Sequence, residues 1–204
     1  SGFGGGQIAP RHTDLRKSQL RRPLLKVGQQ LMRIDLSAVE YHQPIVETPA
    51  PSVLRLVWAS EDDTCAFAQH LAAQPALRNA YLELHGDLGA GKTTLVRHLL
   101  RTLGVTGRIK SPTYAVVEPH QAGDLAIWHF DFYRFSDPRE WEEAGFRDLF
   151  ASPGLKLAEW PEQAAGMLPT ADLVIHLETQ PDDSRLALCE ARTAVGLALL
   201  SPLS

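Results

Sequence analysis

The chain has 204 residues, 44% of them hydrophobic and 22% charged, enough sequence for a buried core and the composition of an ordinary globular protein. No apolar run approaches the length that spans a bilayer, and no continuous apolar h-region opens the chain, so neither a membrane partner nor secretion is expected. Two distant cysteines, Cys65 and Cys189, exclude a disulfide framework and a Cys/His ligand cluster; they read as small core residues of a protein in a reducing cytoplasm.

The formal net charge of −4 is unevenly spread. Residues 1–34 hold seven Lys/Arg against one Asp, a net +6, which leaves thirteen against twenty-three, a net −10, for the remainder. A basic arm of this kind can bind nucleic acid through its phosphates. With three consecutive glycines at 4–6 and prolines at 44, 49 and 51, it reads instead as a disordered extension and linker over residues 1–50, with a folded domain at 51–204.

In chain order, Val53–Trp58 alternates like a short strand, and Ser60 with Asp63 forms a capping-box pattern opening a helix that directs Cys65, Phe67, Ala68, Leu71 and Ala72 inward. Pro75 ends that helix. Ala80–His85 predicts a strand and Leu95–Leu103 a helix that stops at Gly104. Further strands are predicted at Tyr114–Glu118, Leu125–Asp131, Leu155–Glu159, Asp172–Leu177 and Arg185–Cys189. Asp137–Ala144 reads as a helix with Asp at its cap and Pro at its first position. Strands alternating with helices indicate an α/β, three-layer domain with a central, mainly parallel sheet and a ligand at the carboxyl ends of its strands.

Between the second strand and its helix stands Gly86-Asp-Leu-Gly-Ala-Gly-Lys-Thr-Thr94, a match to G-x-x-x-x-G-K-[ST]. Glycines let successive N–H groups of Asp87, Leu88, Gly89, Ala90, Gly91 and the residues that follow turn toward phosphate oxygens, and the helix adds its positive end. In that frame Lys92 reaches the β- and γ-phosphates and the Thr93 hydroxyl takes a place on Mg²⁺, with Thr94 beside it. The plain alternative is a glycine-rich βα turn with a fortuitous Gly-Lys-Thr.

Mg²⁺ at a phosphate loop wants one or two further carboxylates. Asp131 and Glu159 each close an apolar strand and so belong at the end of the sheet where the loop lies. One would hold the metal directly or through water and the other orient the attacking water; the alternative is an exposed carboxylate at each strand terminus. Ser111-Pro-Thr113-Tyr114 occupies a connection that supplies a phosphate-sensing hydroxyl in nucleotide switches, though alone it is a proline turn with polar neighbours. His129 shares a strand face with Asp131, where a packed or hydrogen-bonded histidine is the more ordinary reading. Trp160 is either a core aromatic or a wall of the site.

Four blocks in this order, the 86–94 loop, Ser111-Pro-Thr-Tyr114, His129-Phe-Asp-Phe-Tyr-Arg134 and Glu159-Trp-Pro-Glu162, resemble the bacterial TsaE (YjeE) family from about Ser60 to near the C-terminus. The resemblance implies a P-loop ATPase that binds and slowly hydrolyses ATP with Mg²⁺ in the making of threonylcarbamoyladenosine in tRNA. It further implies TsaB-like and TsaD-like partner subunits, contact with tRNA only through their complex, and a role in resetting that complex between turnovers. It implies that Lys92 is the phosphate lysine, Thr93 a metal ligand, Glu159 the second metal-site carboxylate and Asp131 a required acid. Ser111 and Thr113 become a switch-like segment, Trp160 a neighbour of the site, and Thr64 and Arg185 nucleotide contacts, the last with a one-residue insertion. The basic arm has no counterpart in the family pattern.

Three rivals share the loop. A small-molecule kinase should carry an arginine-rich lid, whereas Arg134, Arg139 and Arg147 are scattered over a helical segment. A GTPase should carry N-K-x-D, which is absent. A non-catalytic nucleotide-sensing module would use ATP only to order residues 111–114. Without an arginine finger or a water-orienting Gln in the chain, slow intrinsic hydrolysis is expected, since a missing finger costs about 10³–10⁵ in rate.

Overall fold

In the structure, a computed structural model, residues 52–112 and 116–201 are described, with the backbone alone at Pro138 and Glu140. The extension called at 1–50, Thr113 and Tyr114 lie outside the described residues.

One seven-stranded sheet organises the domain in the order β1-β7-β6-β2-β5-β4-β3. Its strands are β1 (Ser52–Trp58), β2 (Tyr81–His85), β3 (Val117–Ala122), β4 (Leu125–Asp131), β5 (Leu155–Glu159), β6 (Leu173–Thr179) and β7 (Arg185–Ala191). The central β6, β2, β5 and β4 are mutually parallel, while β1 and β3 close the two edges through antiparallel pairs. The hairpin β3–β4 turns through Gly123 and Asp124, and the edge position of β3 accommodates Pro119, which has no N–H for a ladder.

Helices cover both faces. Helices α1 (Glu61–Ala72), α2 (Lys92–Thr102) and α5 (Ala194–Leu200) share a core with the sheet residues Leu82, Leu84, Ile127, Leu157 and Ile175. Helices α3 (Pro138–Glu143) and α4 (Phe146–Ala151) pack an aromatic cluster of Phe130, Phe132, Phe135, Trp141 and Phe146 on the other face. This is the expected three-layer α/β architecture.

Local chemistry explains the boundaries. The Asp63 carboxylate accepts from the backbone N–H groups of Ala59 (2.8 Å) and Ser60 (3.1 Å) at the start of α1. Helix α1 buries Thr64, Phe67, Ala68 and Leu71; Cys65 and Ala72 are only half-buried, one position off the inward stripe assigned to them. Helix α2 ends at Thr102, with Gly104 left-handed at φ 99°. The Asp137 carboxylate caps α3 by accepting from Arg139 N–H at 2.9 Å.

Differences from the sequence reading are local. The strand expected at 114–118 begins at Val117 and continues to Ala122, because its hydrogen-bond register is set by the hairpin to β4. Helices α4 and α5 were not foreseen as separate elements. Asp172 anchors the lower end of the sheet: its carboxylate accepts from Tyr81 N–H at 2.8 Å and from the Thr193 hydroxyl, and Thr193 caps α5. The β2 and β5 strands end side by side, with Leu84, next to last in β2, opposite Glu159, and β4 places Asp131 opposite Glu159. That alignment builds the site.

Candidate functional site

The loop from Gly86 to Gly91 leaves the end of β2 and enters α2 with three left-handed glycines, Gly86 (φ 134°), Gly89 (φ 85°) and Gly91 (φ 110°). At Gly86 the need is also steric: a Cβ there would strike the Leu177 carbonyl oxygen of β6. The turn folds the Lys92 side chain back over its own loop. Its ammonium donates to the carbonyls of Gly86 and Asp87, the latter at 2.9 Å, and lies 4.0 Å from the centroid of the Trp160 ring. Lys92 is 4% exposed. Burial pulls its pKa below the ordinary lysine value, opposed by Glu159 first and then Glu162, Asp131 and Asp87. An incoming phosphate would replace neutral carbonyls with anionic oxygens around this cation.

Glu159 ends β5 almost fully buried, at 2% exposure. Thr93 Oγ1, in the first turn of α2, donates to Glu159 Oε2 at 2.8 Å and lies 3.1 Å from Oε1. The pair joins the loop to the neighbouring strand. Asp131 ends β4 opposite Glu159 but has different partners: the Ser111 hydroxyl donates to Oδ2, and the Tyr133 N–H donates to Oδ1 at 3.0 Å. The two acids therefore stand on adjacent strands with separate partners, Glu159 tied to the loop helix through Thr93 and Asp131 to Ser111 and Tyr133.

Trp160 takes a left-handed backbone (φ 55°, ψ 44°), unusual for a bulky residue and sustained only where its surroundings hold it. Its N–H donates to Leu84 O at 3.3 Å, and its ring packs against Tyr133 with centroids 5.0 Å apart. The indole thus forms a wall over Lys92, with Tyr133, half exposed, outside it.

On the other side of the loop lies a cavity of about 160 Å³ lined by Trp58, Thr64, Gly89, Gly91, Thr94 and Arg185 among others. Arg185 Nε donates to Ala90 O at 3.1 Å, and its Nη1 donates to the carbonyls of Asp183 and Ser184. Arg185 and Thr64, distant in sequence, are brought to the same cavity against the loop. Leu88, at the tip, is 78% exposed.

The structure thus gathers Asp87 to Thr94, Trp160 and Glu159 in one group, links Ser111 to Asp131 beside it, and sets Thr64 and Arg185 in the adjoining cavity. Sequence reasoning gave Trp58, Ser60, Glu61 and Asp183 no place in that cavity, since nothing in their spacing connects them to the loop. For His129 it allowed a packed or hydrogen-bonded ring but named no partner. The ring is fully buried, and Nε2 lies 2.8 Å from Glu159 Oε1; the alternation from His129 to Asp131 was the available signal.

Hard oxygen donors, the Thr93 hydroxyl and the Glu159 carboxylate, suit Mg²⁺, which keeps several waters and shares phosphate oxygens. No group of three or more His, Cys, Asp or Glu side chains among the described residues could hold a metal ion by itself, so a metal here would depend on the phosphate for further ligands. No helix among the described residues is long and apolar enough to cross a membrane.

Comparison with known proteins gives one answer. The family described as threonylcarbamoyl adenosine biosynthesis protein TsaE matches residues 58–187. The Haemophilus influenzae protein named tRNA threonylcarbamoyladenosine biosynthesis protein TsaE is 41% identical over 138 residues, covering 68% of this chain and 87% of the relative. Its Bacillus subtilis namesake is 35% identical over 133 residues, covering 64% and 82%. The crystal structure of Bacillus subtilis YdiB superposes with a TM-score of 0.62 at 28% identity, over 76% of this chain and 95% of that one. This chain belongs to the TsaE family.

Proposed function

We propose that this protein is a Mg²⁺-dependent, ATP-binding and slowly hydrolysing subunit that acts in the cytoplasm with TsaB and TsaD homologues to form threonylcarbamoyladenosine in tRNA, resetting their complex between turnovers. The carrying observation is the Thr93–Glu159 bond, which couples the phosphate loop to a buried carboxylate on the adjacent strand. In this reading, loop N–H groups and the Lys92 ammonium grip the β- and γ-phosphates. Thr93 and Glu159 hold Mg²⁺, whose contribution is to neutralise charge on the transferring phosphoryl group.

The chain's own groups divide the remaining work. Lys92 exchanges its two carbonyl partners for phosphate oxygens. Trp160 covers that cation and excludes water from it. Asp131, held by Ser111 and the Tyr133 N–H, connects the state of the phosphate to the 111–114 segment and orients the attacking water. The cavity lined by Thr64 and Arg185 receives the nucleoside end. Tight grip and slow hydrolysis belong together in a subunit whose nucleotide state is read by partners.

The deciding experiment measures ATP turnover by the protein alone, then with a TsaB–TsaD pair, then with tRNA added. Slow turnover alone and marked acceleration by the pair are expected. Fast turnover alone, unchanged by the pair, would reject the accessory-subunit reading.

A further inference from the structure

We propose that His129 is a positioning residue for the metal site: its imidazole fixes the Glu159 carboxylate so that the opposite oxygen is presented to Thr93 and Mg²⁺. The inference rests on the nucleotide and metal assignment proposed above.

The observations are geometric. His129 lies in the middle of the β3/β4/β5 side of the sheet, fully buried, on the same face as Asp131 and facing Glu118 across the hairpin. Its neighbours on that face include Leu157, to which it is registered on β5. Burial of an imidazole among apolar groups is costly unless its polar atoms are partnered. Of its two nitrogens, Nε2 meets Glu159 Oε1 at 2.8 Å, while Nδ1 has no partner among the described residues. The His120 ring stacks at a centroid distance of 6.4 Å, and its Nε2 is likewise without a partner.

That pattern is not what a structural polar network shows, in which buried donors and acceptors are paired throughout. One bond is made, and it goes to the site carboxylate. A carboxylate can only accept, so Nε2 carries the ring proton and donates. His129 holds Oε1 at 2.8 Å, and the Thr93 hydroxyl makes its shorter contact, 2.8 Å against 3.1 Å, with the opposite oxygen Oε2. The carboxylate plane is fixed from two directions, by a strand on one side and by the loop helix on the other. The ring acts on the metal through Glu159, as outer partners of metal-site carboxylates do.

Two substitutions separate positioning from packing. His129→Phe keeps a planar ring and loses the donor; His129→Gln keeps an N–H at about the reach of Nε2. Binding of a fluorescent ADP analogue is measured with excess EDTA and then across a Mg²⁺ titration, with thermal unfolding recorded alongside. In H129F the Mg²⁺ concentration for half-maximal effect should rise about 10–100-fold, with metal-free nucleotide affinity held within about twofold of wild type, a change worth only ~0.4 kcal/mol. H129Q should recover most of the Mg²⁺ response. An unchanged Mg²⁺ midpoint in H129F, equal impairment in both variants, or parallel loss of metal-free and metal-dependent binding overturns the proposal.

Failure of the parent reading looks different: wild-type protein would then bind the analogue neither with nor without Mg²⁺. Should H129F not fold, nitrogen-15 spectra of wild-type protein decide. A protonated Nε2 and an unprotonated Nδ1, retained on saturation with ADP and Mg²⁺, support the role; loss of the Nε2 proton signal on Mg²⁺ addition overturns it.

Discussion

Lys92 and Glu159 hold the loop through different bonds: the ammonium donates to the carbonyls of Gly86 and Asp87, and the carboxylate accepts from Thr93 in the first turn of α2. Their substitution should separate grip from chemistry. Lys92→Ala removes the cation aimed at the phosphates and should abolish measurable hydrolysis. It should also relieve a buried charge whose cost is visible in the lowered pKa of the ammonium. Thermal stability without nucleotide is therefore expected to hold while the stabilisation by MgATP, about 2.7 kcal/mol at one hundred times Kd for wild type, disappears. Glu159→Ala should weaken Mg²⁺-dependent activity and spare metal-free binding. Wild-type turnover in either variant rejects the site assignment. The loop residues were legible because their chemistry is concentrated in one run of sequence. The Glu159–Thr93 bond was legible only as a role for each residue separately, and for His129 a hydrogen bond was legible but not its partner, because a histidine in an apolar strand has the same pattern whether it packs or positions.

At the scale of elements, the strands around the loop were readable to within a residue or two, and β5 was read with its observed limits, because apolar runs ending in an acid are bounded on both sides by turn chemistry. Helix α5 was missed for the opposite reason: Ala194–Leu200 is Ala-Val-Gly-Leu-Ala-Leu-Leu, with no polar residue to give it a helical period. What makes it a helix is tertiary. Gly196 lets the helix approach Asp172 so closely that a Cβ would strike its carbonyl oxygen, and Thr193 Oγ1 accepts from Gly196 N–H at 3.2 Å while donating to the Asp172 carboxylate. Asp172 therefore joins α5 to the start of β2, the strand that carries the loop. Asp172→Ala leaves the Tyr81 N–H without its acceptor and frees the cap, a loss of about 1–3 kcal/mol for the unmade buried bond. Urea unfolding should show that loss, with nucleotide affinity per folded molecule unchanged. A variant as stable as wild type would mean that the strand-to-helix tie carries no weight.

Across the whole molecule, the carboxyl end of the sheet concentrates titratable groups, and they make stability depend on pH. His85 and His176 stack with ring centroids 4.6 Å apart on adjacent strands β2 and β6, and His85 is flanked by Glu83 and Glu162, each at 3.2 Å. Burial, and then the neighbouring His85, push the His176 pKa below the ordinary 6.5, against the pull of Glu190 and Glu162 and with the push of Arg192. On the opposite face, burial lowers His120 in the same direction, aided by His129 and opposed by Glu118. Both rings then bind protons more readily in the unfolded chain than in the fold. The stability they contribute is fully present above about pH 6.5. It is lost as pH falls through that value toward the lower folded pKa, because acid favours the state that binds more protons. The urea midpoint should accordingly be lower at pH 5.5 than at pH 7.5, and His176→Gln together with His120→Gln should flatten that difference, since an amide does not titrate. His176 lies on the sheet face opposite Glu159, so His176→Gln alone should keep the Mg²⁺ midpoint of wild type at pH 7.5, whereas His120 stacks on His129 and serves only the stability measurement. An undiminished pH slope in the double variant would show that these two rings are not its source; the carboxylates cannot supply it, because Asp124, held by Arg78, and Asp137, held by Arg139, sit below the usual range and lose their contribution only at much lower pH.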